Sequence, residues 1–250
     1  MRRLPDPTSR PVAAADAADR GGSAVPSPAF AFLLALIALP SLFWLVTLKR
    51  TTDHTIPEEW LMESVVPPVQ AWVALHAPPL DSILIGISGL GSGWFVAIGF
   101  GVAGLVALSR RRADLALLLA AGTLAFPIEW ALKYFTAIPE ISLGQLGDAL
   151  FNVGNVGLDD LADFPAGHAL RATAFYGLLA FCVARVTGDW RRGWTAYISA
   201  IGLIAAISLT RLYLGAHFPI DLLGGWMAGG ALLAVILAVY ILAVDGRVRG

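Results

Sequence analysis

Cysteine and charge are what this sequence has least of. Its single cysteine, Cys182, excludes an intrachain disulfide, and a position inside an apolar run makes it a packing residue rather than a reactive thiol. Charged residues make up 14% of the chain, where a soluble domain carries roughly 25%. A net charge of −1 gives no electrostatic reason for a polyanionic partner, so nucleic acid is not expected. Apolar residues take up the room, at 57% of the chain and a mean hydropathy of +0.72. That is the composition of an integral membrane protein.

Crossing a bilayer takes roughly 20 apolar residues in a helix, and six runs approach that length. They are Ala29–Leu48, Ser82–Ser109, Leu115–Leu132, His168–Thr187, Gly193–Thr210 and Leu222–Val244. The second is entered through "SGLGSG", and the third is interrupted only by Glu129. The expected fold is therefore all-α and polytopic, with six transmembrane helices in a domain over residues 29–244. Residues 1–28, rich in Pro, Ala, Asp, Arg and Ser, read as a disordered tail, and 245–250 as a second short tail. Between the first two runs, residues 56–80 hold Trp60, Trp72 and several prolines. That stretch is too polar and too broken to span, and suits a segment lying in the interface.

Orientation follows from the basic residues. With the N-terminus inside, only Lys49, Arg50, Lys133, Arg171 and Arg211 of the 17 Lys and Arg fall outside. This positive-inside bias places both termini in the cytoplasm.

The outer ends of four helices then converge. The fifth run ends at Arg211, and the sixth begins after His217, with Pro219 suited to the first helical position and Asp221 to the first turn. The fourth starts near His168 in "DFPAGHALRATAFYG", and the third carries Lys133 in its last turns. Helix N-termini offer free N–H groups to an anion, cations add attraction, and histidines add acid–base and nucleophilic capacity. A phosphate is the guest that fits. Each residue also has a plainer reading. Lys133 and Arg211 could complement helix C-termini or snorkel, and Asp221 could be only a helix-start acid. His54 and His76 read as structural. Five ionisable residues from four helices at one depth are hard to explain by packing alone.

Residues 210–221 resemble the last signature of the phosphatidic acid phosphatase type 2 superfamily, Ser-Arg, five residues, His, three residues, Asp. Thr210, Arg211, His217 and Asp221 keep every spacing. "PAGH", residues 165–168, resembles the middle signature Pro-Ser-Gly-His, and Lys133 the start of the first, Lys, six residues, Arg-Pro. The resemblance covers roughly residues 80–240. Three positions depart from it: Glu140 and Ile141 stand where the family has Arg-Pro, and Ala166 where it has serine.

The resemblance implies an integral membrane lipid phosphatase that needs no cofactor and no metal. It implies that His217 attacks phosphorus and forms a phosphohistidine, with Asp221 holding its other ring nitrogen. His168 would protonate the leaving oxygen and then activate water. Lys133, Arg211 and the Gly167 N–H would bind the phosphoryl oxygens. The partner is a membrane lipid, an isoprenyl diphosphate or a phosphatidate, met in the cell (inner) membrane at a site facing the periplasm or exterior. The same residues would serve a phosphotransferase, or a non-catalytic protein that binds or transports lipid phosphates. A metal site from His168, His217 and Asp221 ranks last, because Lys133 and Arg211 would repel a cation.

Arg171 lies outside the signatures. It falls three residues past His168, about 4.5 Å deeper on the same helix face. Glu129 lies four residues before Lys133, about 6 Å below it. The two should share a depth if their helices are neighbours, giving an ion pair in which Glu129 orients an Arg171 that also touches substrate phosphate.

Overall fold

The computed structural model describes residues 27–51, 60–137 and 164–245. All elements among them are helical: α1 Pro28–Thr51, α2 Val66–His76, α3 Pro78–Gly89, α4 Gly93–Ser109, α5 Ala113–Gly122, α6 Ala125–Ala137, α7 Gly167–Thr187, α8 Trp190–Tyr213 and α9 Pro219–Asp245. A π-helical turn, Leu61–Val65, leads into α2. The tail expected over 1–28 lies outside the described residues as far as position 26, as do 246–250 and the departures Glu140 and Ile141.

Local chemistry accounts for the helix ends. Prolines occupy the first turns of α2 and α3, where a missing N–H costs nothing. The Ser92 side chain accepts a hydrogen bond from Phe95 N at the start of α4, and Asp189 accepts one from Arg191 N at the start of α8. Gly188, at φ +59°, ends α7 in the left-handed conformation that glycine adopts freely. Pro219 opens α9 and Asp221 lies in its first turn, both as the sequence suggested.

Four stretches are long and apolar enough to cross a membrane: Ala113–Thr136, Gly167–Thr187, Trp190–Tyr213 and Pro219–Val244. The first joins α5 and α6 across the turn at Thr123 and Leu124. A fifth crossing exists if α3 and α4, bent by 53° at 90–92, count as one broken span. The protein is thus a multi-pass helical membrane protein with four or five such spans among the described residues. The sixth expected span falls on α1, whose qualifying apolar stretch, Leu33–Thr47, is shorter than a full crossing.

α7 is the centre of the bundle. In its apolar window 61% is buried, against 17% for α8, so α7 faces protein while α8 presents most of its surface outward. Leu170, Ala174, Phe175, Leu178 and Phe181 of α7 pack with Val96 and Phe100 of α4, Leu118 of α5 and Leu232 and Ile241 of α9. Small residues set the α7–α9 distance. A Cβ added at Gly225 would come within 2.5 Å of Ala166 O, and one at Gly229 within 2.6 Å of Leu170 O. Two glycines four apart on one helix let the neighbouring backbone approach this closely.

The other face of α7 borders an apolar cavity of about 690 Å³ between α1, α8 and α9, lined by Thr173, Trp194, Ile204, Trp226 and Leu233 among others.

Candidate active site

The last two turns of α6, the first turn of α7, the end of α8 and the start of α9 form one end of the bundle. Three sets of bonds tie these pieces together. Thr136 Oγ1 donates to Phe164 O at 2.9 Å, fastening the end of α6 to the chain entering α7. Ala166 N donates to Asp221 O at 2.9 Å, fixing the start of α7 to the first turn of α9. Trp226 Nε1 donates to Ser208 Oγ at 2.9 Å, bracing α9 against α8.

On this frame sit the residues singled out by the sequence. Lys133, His217 and Asp221 are all buried to about 1% exposure or less, deep for groups of this polarity. Thr210 and Arg171 are buried too, and His168 and Arg211 are half-buried. His217 lies between the helices: α8 ends through Leu214 and Gly215, Ala216 N returns to Arg211 O at 3.0 Å, and α9 starts two residues later.

Asp221 has a structural duty. Its Oδ2 accepts from Phe218 N at 2.9 Å, the reach-back of a capping box. The plain reading of a helix-start acid is therefore part of the answer. A carboxylate has two oxygens and about four acceptor sites, so capping leaves capacity for another donor.

Gly167, His168 and Arg171 share the first turn and a half of α7, and there the expected ion pair is present. Arg171 Nη1 donates to Glu129 Oε2, joining α6 to α7 inside the bundle. Arg171 Nε donates to Gly91 O at 3.3 Å, and Nη2 faces His168 Nδ1 at 3.5 Å. The Glu129 carboxylate lies where a side chain at position 167 would be: a Cβ built there falls 1.8 Å from Oε1. Ala166 begins α7 without a side-chain cap, the consequence of having no hydroxyl.

One contributor was missed from the sequence. The elbow between α3 and α4 reaches into the bundle beside α7, where Leu90 O accepts from Tyr176 OH at 3.0 Å and Gly91 O holds Arg171. Gly91 lies against His168 and Ile207, and a Cβ there would meet Ile207 Cγ2 at 2.8 Å. The signal was available in "SGLGSG": broken helix inside a membrane protein is tolerated where it is buried in protein or lines a cavity. The segment expected to lie in the interface is helical where it is described, through the turn Leu61–Val65, α2 and the start of α3, with Trp60, Trp72 and Leu75 exposed. Its link to the bundle is Gln70 Nε2 donating to Tyr213 O at 2.6 Å. His76 stacks on Trp72 and bonds its backbone, as a structural histidine should.

Among the described residues no group of three His, Cys, Asp or Glu side chains is arranged to hold a metal ion. The apolar cavity is lined by none of the ionisable residues named for the site.

Residues 133–244 match the family model described as the PAP2 superfamily, so the likeness read from the motifs is borne out. Two curated relatives are similar over shorter stretches. YbjG of Escherichia coli (strain K12), whose name gives undecaprenyl-diphosphatase as a provisional activity, is 36% identical over 90 residues, 34% of this chain and 41% of that protein. Phosphatidylglycerophosphatase B of Bacillus subtilis (strain 168) is 34% identical over 67 residues, 26% of this chain and 33% of that protein. The chain thus matches less than half the length of each. A solved structure, titled the first transmembrane PAP2 type phosphatidylglycerolphosphate phosphatase from Bacillus subtilis, superposes with a TM-score of 0.60 at 21% identity, covering 83% of this chain and 96% of that one. At that identity the likeness concerns the fold.

Proposed function

We propose that the protein is an integral membrane lipid phosphatase acting on a lipid phosphate or diphosphate at the outer face, through a phosphohistidine and without a metal. The observation that carries this reading is the burial of His217 and Asp221 at the start of α9, where the Asp221 carbonyl bonds Ala166 N at the N-terminus of α7, at the end of the bundle that also holds Lys133, His168 and Arg211. The relatives' names, one an isoprenyl diphosphatase and one a phosphatidylglycerophosphatase, support a phosphorylated lipid as substrate.

In this reading a ring nitrogen of His217 attacks phosphorus, and Asp221 supports the imidazole as charge develops on it. Lys133, Arg211 and the Gly167 N–H receive the phosphoryl oxygens, the N–H through the positive end of α7. His168 serves the leaving oxygen first and water second. A second reading, a family member that binds or transports lipid phosphates, is favoured by Ala166, which leaves the start of α7 without the hydroxyl a phosphate oxygen could use.

One comparison tests the proposal. Purified wild-type protein in detergent should release phosphate from a panel of lipid phosphates and diphosphates and yield a trappable labelled phosphoenzyme. His217→Ala should stay folded and lose both. Unchanged turnover in His217→Ala would sink the enzyme reading.

A further inference from the structure

We propose that Tyr213 is a positioning residue for His217: Asp81 of α3 and Gln70 of α2 clamp it, and through this clamp α3 sets where the nucleophile stands relative to His168. The inference rests on the lipid phosphatase reading. It adds to what serves the site two residues, Gln70 and Asp81, from outside the stretch that matches the family model, residues 133–244.

The clamp consists of two bonds whose donors are fixed by chemistry. Tyr213 OH donates to Asp81 Oδ1, and Gln70 Nε2 donates to Tyr213 O at 2.6 Å. An ionised carboxylate and a carbonyl oxygen only accept, so the hydroxyl and the amide must give the protons. Tyr213 is the last residue of α8, and the last carbonyls of a helix have no partner within it. Gln70 supplies one from outside. Asp81 has a plainer use as well, since it lies in the first turn of α3, where an acid complements the dipole. That use needs no partner on α8, and the bond to Tyr213 comes in addition.

Beyond Tyr213 the chain folds back on α8. Leu214 N donates to Thr210 O at 2.9 Å, Gly215 N to Leu212 O at 3.1 Å and Ala216 N to Arg211 O at 3.0 Å. Gly215 takes φ +70°, which glycine adopts without strain. His217 follows at once, so a displaced Tyr213 carries His217 with it. Arg211 lies within α8 and is held by the helix, so the clamp bears on the nucleophile more than on the phosphate-binding cation.

The far end of α3 provides the second reference point. The helix has 12 residues, about 18 Å, and leads to the elbow at Gly91. That elbow sits between α7 and α8: a Cβ at Gly91 would lie 3.3 Å from His168 Cβ and 2.8 Å from Ile207 Cγ2. Gly91 O also holds Arg171 at 3.3 Å. One helix therefore fastens the loop of one histidine at its start and abuts the other histidine at its end. In the phosphatase reading the two must flank a single phosphorus atom, and a displacement of about 1 Å at such a group can cost about 10²-fold.

The test uses the full chain in detergent with farnesyl diphosphate and dioctanoyl phosphatidate. Tyr213→Phe removes one hydroxyl and keeps the ring and the carbonyl. It should lower kcat by about tenfold with KM changed by less than about twofold, and Asp81→Ala should do the same. The two together should cost no more than either alone, because both break one bond. Asp81→Asn keeps an accepting oxygen and should fall well short of the loss in Asp81→Ala. A bond that only docks α3 would lower the unfolding temperature and leave kcat per folded molecule unchanged; that result overturns the proposal. So does a rise in KM at constant kcat, or additive losses in the double variant. Hydrogen exchange of the backbone amides of residues 210–221 reads the clamp without turnover, and both single variants should speed it. Unchanged exchange overturns the proposal whatever the protein hydrolyses. A wild-type chain that releases no phosphate from any lipid defeats the phosphatase reading itself, whereas an active wild type and an equally active Tyr213→Phe defeat the clamp alone.

Discussion

Gly167→Ala is the smallest change that strikes the centre of the site. The added Cβ would lie 1.8 Å from Glu129 Oε1 and 2.8 Å from Arg171 Nη1, where ordinary contact begins at 3.4 Å. The carboxylate must retreat by more than an ångström, and it is buried at 2% exposure with an ion pair to keep. Removing one partner of a buried pair costs about 3–5 kcal/mol. Here both partners remain and can shift together, so the cost belongs nearer the overpacking range of about 1–3 kcal/mol. Turnover should suffer more than stability, because a displacement of about 1 Å at a catalytic group can cost about 10²-fold. The compensating change is Glu129→Asp, which withdraws the carboxylate by one methylene. Thermal unfolding in detergent and phosphate release should both show the double variant better than the sum of the singles, with a coupling of about 1 kcal/mol or more. Gly167→Ala with wild-type stability and wild-type turnover would refute the reasoning. So would strict additivity with Glu129→Asp.

The remaining predictions concern chemistry and sidedness. Activity should survive excess EDTA and fall with vanadate, which mimics five-coordinate phosphorus beside a histidine; loss in chelator restored by zinc would instead favour a metal site. In a background lacking Cys182, a cysteine replacing Asp159 should react with an impermeant thiol reagent on intact cells, and one replacing Ala113 only after the membrane is opened. The reverse labelling pattern would put the site on the cytoplasmic side.

Legibility in the sequence varied with the kind of signal. Thr210, Arg211, His217 and Asp221 announce themselves by spacing, and Pro219 marks the start of α9 because its fixed φ and missing N–H suit few other positions. The Glu129–Arg171 pair followed from depth alone, since two charges at one level in an apolar bundle have strong reason to meet. The elbow at Leu90 and Gly91 was marked only by the glycines of "SGLGSG"; Ser82–Ser109 carries no charge, so composition alone reads one run where the backbone makes two helices at 53°. Gly225 and Gly229 gave no such mark. A glycine pair shows what a helix allows, and only the partner shows that α7 uses it.

The frame of the site has a consequence for how the protein will look to genetics. Ala166 N bonds Asp221 O, Phe164 O receives Thr136, and Gly91 O receives Arg171. On at least one side of each contact the atom belongs to the main chain, which every amino acid carries. A library of single substitutions scored by survival should therefore show sharp losses at His217 and Asp221. At Ala166, Phe164 and Gly91 it should register the size of the incoming side chain rather than the loss of a bond. Only changes to the main chain itself, such as proline at Ala166 or an ester in place of its amide, would expose that contact.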